Sequence, residues 1–258
     1  MGENINIIGK DRLFCFIFGR EEHKEWTLSL YNSINGTDYS DPKSVEITTM
    51  EDYLYMGMKN DVSFIVNSDL SLYEHQSSFN PNMPVRQLIY LTRQYEKYIK
   101  RTKQNIYGSK QMTLPVPKLI TFYNGKEKKT DRVLKLSDSF PKGSDPARSD
   151  VEVSVKMINI RPQYGSDYLK NCKPLSEYSW FVEEVRKNRE KMDVETAVDK
   201  AIKDMPEDFE IRPYLIVHQM EVKEMLFTEY DEKETMELFK EEGREEGREQ
   251  AIEELITD

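Results

Sequence analysis

A mixed α/β fold, a β-sheet flanked by helices with a helical region behind it, is expected from three observations. Asp61–Asn67 (DVSFIVN) and Leu70–Gln76 (LSLYEHQ) are β-branched and aromatic runs separated by turn residues, which reads as a hairpin. A helix-length stretch running to about Arg101 follows, and then a compact apolar strand, Lys118–Tyr123. From about Leu175 onward the pattern is helical.

The elements can be justified in order. Asp11–Gly19 and Glu21–Ser33 are helical, with Leu28, Leu30, Tyr31 and Ile34 as an apolar stripe. Asn35-Gly36 ends the second helix. Val45–Thr49 is a short strand, and the hairpin comes next with Ser68-Asp69 as its tight turn. Pro84 stands in the first turn of the following helix, where proline is tolerated. Asn124-Gly125 closes the Lys118–Tyr123 strand, and Val133–Leu136 is a further short strand. Val151–Ile160 alternates cleanly and reads as an edge strand. Arg161–Gly165 marks a boundary, dividing the chain into 1–160 and an acidic helical region, 161–258. Within the latter, Pro213 belongs to a first turn or a kink. The tail carries KEEGREEGREQAIEEL, a four-residue repeat charged almost all round. It is either a helix for self-association or a solvated, fraying tail.

The hairpin carries the chemistry. With a Ser68-Asp69 turn, Ser63 faces Glu74 and Asp61 faces Gln76. Side chains repeat every second residue along a strand, so Asp61, Glu74 and Gln76 share one face. Diagonal neighbours on such a face lie roughly 7–8 Å apart, within reach of a bridging ion. Two carboxylates there repel unless a cation or proton intervenes. Mg²⁺ or Mn²⁺ takes oxygen ligands of this kind, activates water and stabilises charge on phosphate oxygens. The plainer alternative is a capping Asp61 and a Glu74 on a solvated face.

Several pieces in order resemble the Rpn group of recombination-promoting nucleases, also described as transposase-like, within the PD-(D/E)XK superfamily. Lys10 to Gly19 (KDRLFCFIFG) is similar to the group's opening element, with Cys15 where Lys is usual. Asn60-Asp61-Val62 matches the Asp strand, Tyr73-Glu74-His75-Gln76-Ser77 the Glu-His-Gln-Ser signature, and Met83 to Tyr90 the helix after it. Leu114 to Lys126 matches a later strand. The likeness covers about residues 8–160 and implies a restriction-endonuclease-like core. It implies Asp61 and Glu74 as catalytic metal ligands and Gln76 in the place of the superfamily Lys. Asp11 matches an acidic position in the group's opening element and is a further candidate metal ligand on that resemblance. A first-helix acid also binds metal in some members, and Glu21, Glu22 and Glu25 are the candidates here.

Composition adds partners and location. The net charge is −10, but it is unevenly spread. Residues 161–258 hold 15 basic and 27 acidic side chains, whereas 1–160 hold 22 and 20. Arg86–Arg132 alone carries 12 basic residues against Glu96, Glu127 and Asp131, interleaved with tyrosines. Arg86, Arg93, Lys97, Lys100 and Arg101 are therefore the expected DNA contacts, the alternative being an ordinary solvated helix face. Cys15 and Cys172 form no disulfide framework and no zinc spacing, and no stretch approaches a membrane span. A cytoplasmic, prokaryotic setting is expected, with no membrane partner and homo-oligomerisation through the C-terminal helices left open. The functional expectation is a Mg²⁺-dependent DNA endonuclease linked to recombination or mobile elements. Two alternatives stand beside it: a catalytically degenerate DNA-binding protein and a self-associating scaffold.

Overall fold

The computed structural model describes residues 12–49, 62–125, 127–164 and 166–227. Helices α1 (Arg12–Phe18) and α2 (Lys24–Asn35) open the described chain. Gly36 ends α2 in the left-handed region, φ 65°, and its N–H donates to the Asn32 carbonyl at 2.8 Å. Three antiparallel strands follow: β1 (Val45–Ile47), β2 (Val62–Val66) and β3 (Asp69–Gln76). Helix α3 (Met83–Arg101), with Pro84 in its first turn, then leads to β4 (Val116–Tyr123), which runs parallel to β3. β5 (Arg132–Lys135) and β6 (Ser154–Asn159) complete a mixed six-stranded sheet of order β1-β2-β3-β4-β6-β5. The chain is an α/β protein with a C-terminal helical region.

Two expectations change. The two-residue turn is Asn67-Ser68, not Ser68-Asp69, with Asn67 in the left-handed region at φ 54°. Asn tolerates that conformation better than most residues. Ser63 therefore faces Leu72 rather than Glu74, a slip of two residues that leaves every side chain on its expected face. The Val151–Ile160 stretch is not an edge: β6 lies between parallel β4 and antiparallel β5.

The sheet is covered on both sides. On one face, Phe64, Tyr73 and Phe122 pack with Phe14 of α1. Helices α4 (Asp167–Asn171), α5 (Lys173–Arg189), α6 (Val194–Asp204) and α7 (Arg212–Val217) join the same apolar cluster. Position 161 is thus a boundary of composition, and the core continues across it. Buried Cys172 lies in this layer, its thiol pushed up to about 11 chiefly by burial. The Glu177 carboxylate accepts the backbone N–H groups of Glu210 and Ile211, both at 3.0 Å, and so holds the entry to α7. On the other face α3 lies over β3 and β4, with Met83, Gln87, Tyr90 and Gln94 buried against the sheet.

The C-terminal helices are tied to the strand ends by charge. Arg161 and Arg186 both pair with Glu183, at 2.8 and 2.7 Å. Arg186 also donates to the Asn124 carbonyl at 2.8 Å, and Asn124 N–H donates to Gln76 at 3.0 Å. Gly125 is needed beside them, because a Cβ there would fall 2.6 Å from the Ser77 carbonyl oxygen. Burial alone would raise the Glu183 carboxyl, but Arg161 and Arg186 outweigh it and hold the group below its ordinary value of 4.5. A lowered carboxyl contributes stability that is present above 4.5 and lost as pH falls through its folded value. Melting temperature should therefore fall below pH 4.5, and Glu183→Gln should be less stable than wild type at pH 7 with a shallower acid decline. Parallel acid declines for the two proteins would contradict this.

Candidate functional site

The site is built on β3, seven of whose eight residues are buried. Its even positions, Leu70, Leu72, Glu74 and Gln76, face α3, and its odd positions, Tyr73 and His75, face α1 and α5. Parallel pairing sets Thr121 beside Glu74 and Tyr123 beside Gln76 on the α3 side. These groups stand toward the carboxyl ends of parallel strands, where open α/β sheets commonly bind ligands.

Glu74 is only 1% exposed, which excludes the solvated-face alternative. Arg86, near the start of α3, forms an ion pair with it. The Arg86 guanidinium also donates to the Tyr90 hydroxyl, at 2.9 Å from Nη2 and 3.2 Å from Nε, and lies over that ring. Arg86 is thus engaged with the site carboxylate, not spread on an open basic face. Gln76 is buried too, and its amide nitrogen donates to Met83 Sδ at 2.8 Å. It is a core position, not an exposed strand residue.

The structure adds residues that the hairpin pattern did not reveal. Gln94 donates to Ser63 Oγ at 2.7 Å and to the Thr48 carbonyl at 3.0 Å. Gln87 is fully buried, and its amide nitrogen donates to the Ile120 carbonyl at 3.4 Å. Its Oε1 and the Thr121 Oγ1 are buried with no hydrogen-bond partner among the described residues. An unsatisfied buried polar atom costs about 1–3 kcal/mol, so two beside one carboxylate need an explanation. A signal was present: Met83, Gln87, Tyr90, Gln94 and Tyr98 recur at helical spacing, and two of them are glutamines on the stripe that should be apolar.

On the opposite face His75 Nε2 lies 3.1 Å from the Tyr178 hydroxyl and stacks near Phe14, 5.6 Å between ring centres. The strand that presents Glu74 and Gln76 is therefore clamped from behind by α5.

The expected metal ligands are only partly brought together. Asp11 and Asp61 lie outside the described residues. Glu22 is exposed on the short 3-10 turn before α2, on the helical layer across the sheet from Glu74. Its neighbour there is Tyr214, whose phenol is raised by burial and secondarily by that carboxylate. Among the described residues no three His, Cys, Asp or Glu side chains cluster as a metal site. Beside the Arg86 guanidinium, the Glu74 carboxylate, the Gln87 amide oxygen and the Thr121 hydroxyl are nonetheless oxygen donors of the kind that suits a hard divalent cation. The residues fit the ion by chemical type.

The basic helix face is partly self-neutralised. Arg93 pairs with Glu96 at 2.9 Å, and Arg101 pairs with Glu46. Lys97 and Lys100 are exposed and make no ion pair among the described residues. Lys97, Tyr98 and Arg101 border a cavity of about 220 Å³ floored by Ile65 and Leu70. Exposed pairs of this kind contribute only ~0–1 kcal/mol, so an incoming phosphate could displace them.

No family model, curated protein or solved structure matches the chain. The class of the protein therefore rests on the fold itself, a mixed α/β sheet with a buried polar constellation on one face.

The Glu74–Arg86 pair makes a sharp stability prediction. Glu74→Leu alone should cost about 1–3 kcal/mol, because it removes a charged hydrogen-bond partner from the part-buried Arg86 guanidinium. Adding Arg86→Met should restore most of that loss. Urea unfolding of the two single variants and the double variant measures the coupling. Additive losses would show that the two side chains do not act as a pair.

Proposed function

We propose that this protein is a metal-dependent DNA endonuclease that hydrolyses phosphodiester bonds, with recombination or mobile DNA as its setting. The observation that carries the reading is the polar constellation on the α3 face: buried Glu74 with Arg86, beside the unpartnered oxygens of Gln87 and Thr121. Such an arrangement is costly for stability, and a bound cation would offset that cost. The resemblance of the Glu74-His75-Gln76 stretch to the Rpn signature points the same way. Mg²⁺ or Mn²⁺ would supply Lewis-acid stabilisation of the phosphate and a more acidic water. Asp61 and Glu74 would hold it, and Gln76 would orient the attacking water by hydrogen bonding without adding charge. Arg93, Lys97, Lys100 and Arg101, in the second half of α3, would take phosphates further along the duplex.

A second reading has one observation in its favour. Arg86 already neutralises Glu74, as it would in a protein that keeps the hairpin for structure. Such a degenerate protein would bind DNA without cutting it, or act as a self-associating scaffold.

Cleavage of supercoiled plasmid separates the two. Wild type should nick or linearise the plasmid with Mg²⁺ or Mn²⁺ and not with EDTA. Glu74→Gln, which keeps the side chain's shape, should lose at least ~10²-fold in rate. Undiminished cleavage by Glu74→Gln would remove Glu74 from the chemistry. The helix face is tested by salt. Alanine at Arg93, Lys97, Lys100 and Arg101 should flatten the log–log salt dependence of duplex binding by roughly 0.9 per lost phosphate contact. An unchanged slope would leave this face merely solvated.

A further inference from the structure

We propose that Glu74, the Gln87 amide oxygen and the Thr121 hydroxyl form one divalent-cation site, and that Arg86 is its resident competitor. The inference rests on the nuclease reading and deepens it by assigning ligands and a gate. Thr121 is the register partner of Glu74 in parallel β4, so the two side chains stand side by side on one face. Gln87 follows Arg86 in α3 and is anchored through its nitrogen to the carbonyl of Ile120, the residue before Thr121. That anchor commits the nitrogen and leaves the oxygen as the group available to a ligand. Gln87 is 0% and Thr121 1% exposed, and both oxygens are unpartnered among the described residues. A carboxylate, an amide oxygen and a hydroxyl within one dry face are a hard-cation donor set.

The Arg86 guanidinium sits on the same carboxylate. A divalent cation and the Arg86 guanidinium on one carboxylate repel each other and share its charge, so binding of one weakens the other. The linkage is reciprocal: what loosens Arg86 strengthens the cation site, and an occupied cation site frees Arg86. Arg86 is partly exposed, unlike Glu74, with the two side chains 27% and 1% accessible. Once released it can turn toward solvent, where a guanidinium fits a phosphate by two parallel hydrogen bonds. The site would then carry its phosphate-binding arginine only when the cation is in place. Substrate and metal would assist each other.

Mn²⁺ binding to the full chain, followed by electron paramagnetic resonance without DNA, tests this. Arg86→Met should tighten Mn²⁺ about tenfold, and Thr121→Val should weaken it by a similar factor, the scale on which groups around a metal act. Thr121→Val should at the same time keep or raise the melting temperature of the metal-free protein, since it removes an unpartnered hydroxyl. A merely structural hydroxyl would do the reverse, lowering stability and leaving Mn²⁺ unmoved. If Arg86→Met does not fold, the ¹⁵Nε–H signal of Arg86 in wild type should shift or broaden on Mg²⁺ addition. A signal indifferent to saturating Mg²⁺ would overturn the gate. Glu74→Gln separates the levels. If it abolishes Mn²⁺ binding while Arg86→Met and Thr121→Val leave affinity unchanged, this inference falls and the metal reading of Glu74 stands. If Glu74→Gln leaves affinity unchanged, both fall.

Discussion

The burial of β3 on both faces is the constraint from which the other placements follow. A strand covered on both sides is normally a near-continuous apolar run. This one carries Ser71, Glu74, His75 and Gln76, all buried. Glu74, His75 and Gln76 each find a partner on the face to which the strand's twofold alternation assigns them. Glu74 and Gln76 turn to α3 and meet Arg86 and Met83. His75 turns the other way and meets Tyr178 of α5. The two helices are thus fixed by polar demands made one residue apart, as well as by the apolar clusters around them. Local rules of composition are broken here at one place, and breaks of that kind concentrate where a protein binds or reacts.

The face of the hairpin was legible in the sequence, and its register was not. Alternation of buried and exposed types fixes parity, because a one-residue slip would turn the whole strand over. A slip of two keeps parity, so nothing in the pattern forbids it. The choice fell to the turn. Asp69 looks like a turn residue, but it pairs with Val66 and accepts the Tyr31 hydroxyl at 2.8 Å. That contact comes from α2, 38 residues away in the chain, and no local signal announces it. Asn67 takes the left-handed position instead. The same limit applies to Arg86. Its charge suggested the phosphate-binding face, but the rotation of α3 about its axis sets it against Glu74. The buried glutamines of the 83–98 stripe were the readable sign of that rotation.

Alternation misled at β6 for a different reason. Ser154 and Lys156 are less buried than the residues that alternate with them, which reads as a strand with one open side. Alternation reports how a strand's two faces are covered, and says nothing of whether its two edges are paired. Lys156 is accommodated by the ring and hydroxyl of Tyr168, so its stem is covered while the strand stays internal. The short β5 takes the edge, and short edge strands limit pairing with other chains.

The C-terminal half differs from the rest of the chain in charge but shares its core. The acidic surplus of 161–258 describes surface, whereas domain structure is decided by buried contacts. Leu175, Tyr178, Phe181, Val185 and Ala197 belong to the same apolar cluster as Phe64, Tyr73 and Phe122 of the sheet. Arg161 and Arg186 reach the carbonyls of Gly125 and Asn124, at the rim where β3 and β4 end. Removing this half would strip one face of the sheet and loosen the strand that presents Glu74. Loss of function in such a truncation would follow whether the acidic helices act in their own right or only support the site. Single substitutions on the α3 face leave that support in place, and so they can separate a catalytic role from a scaffolding one.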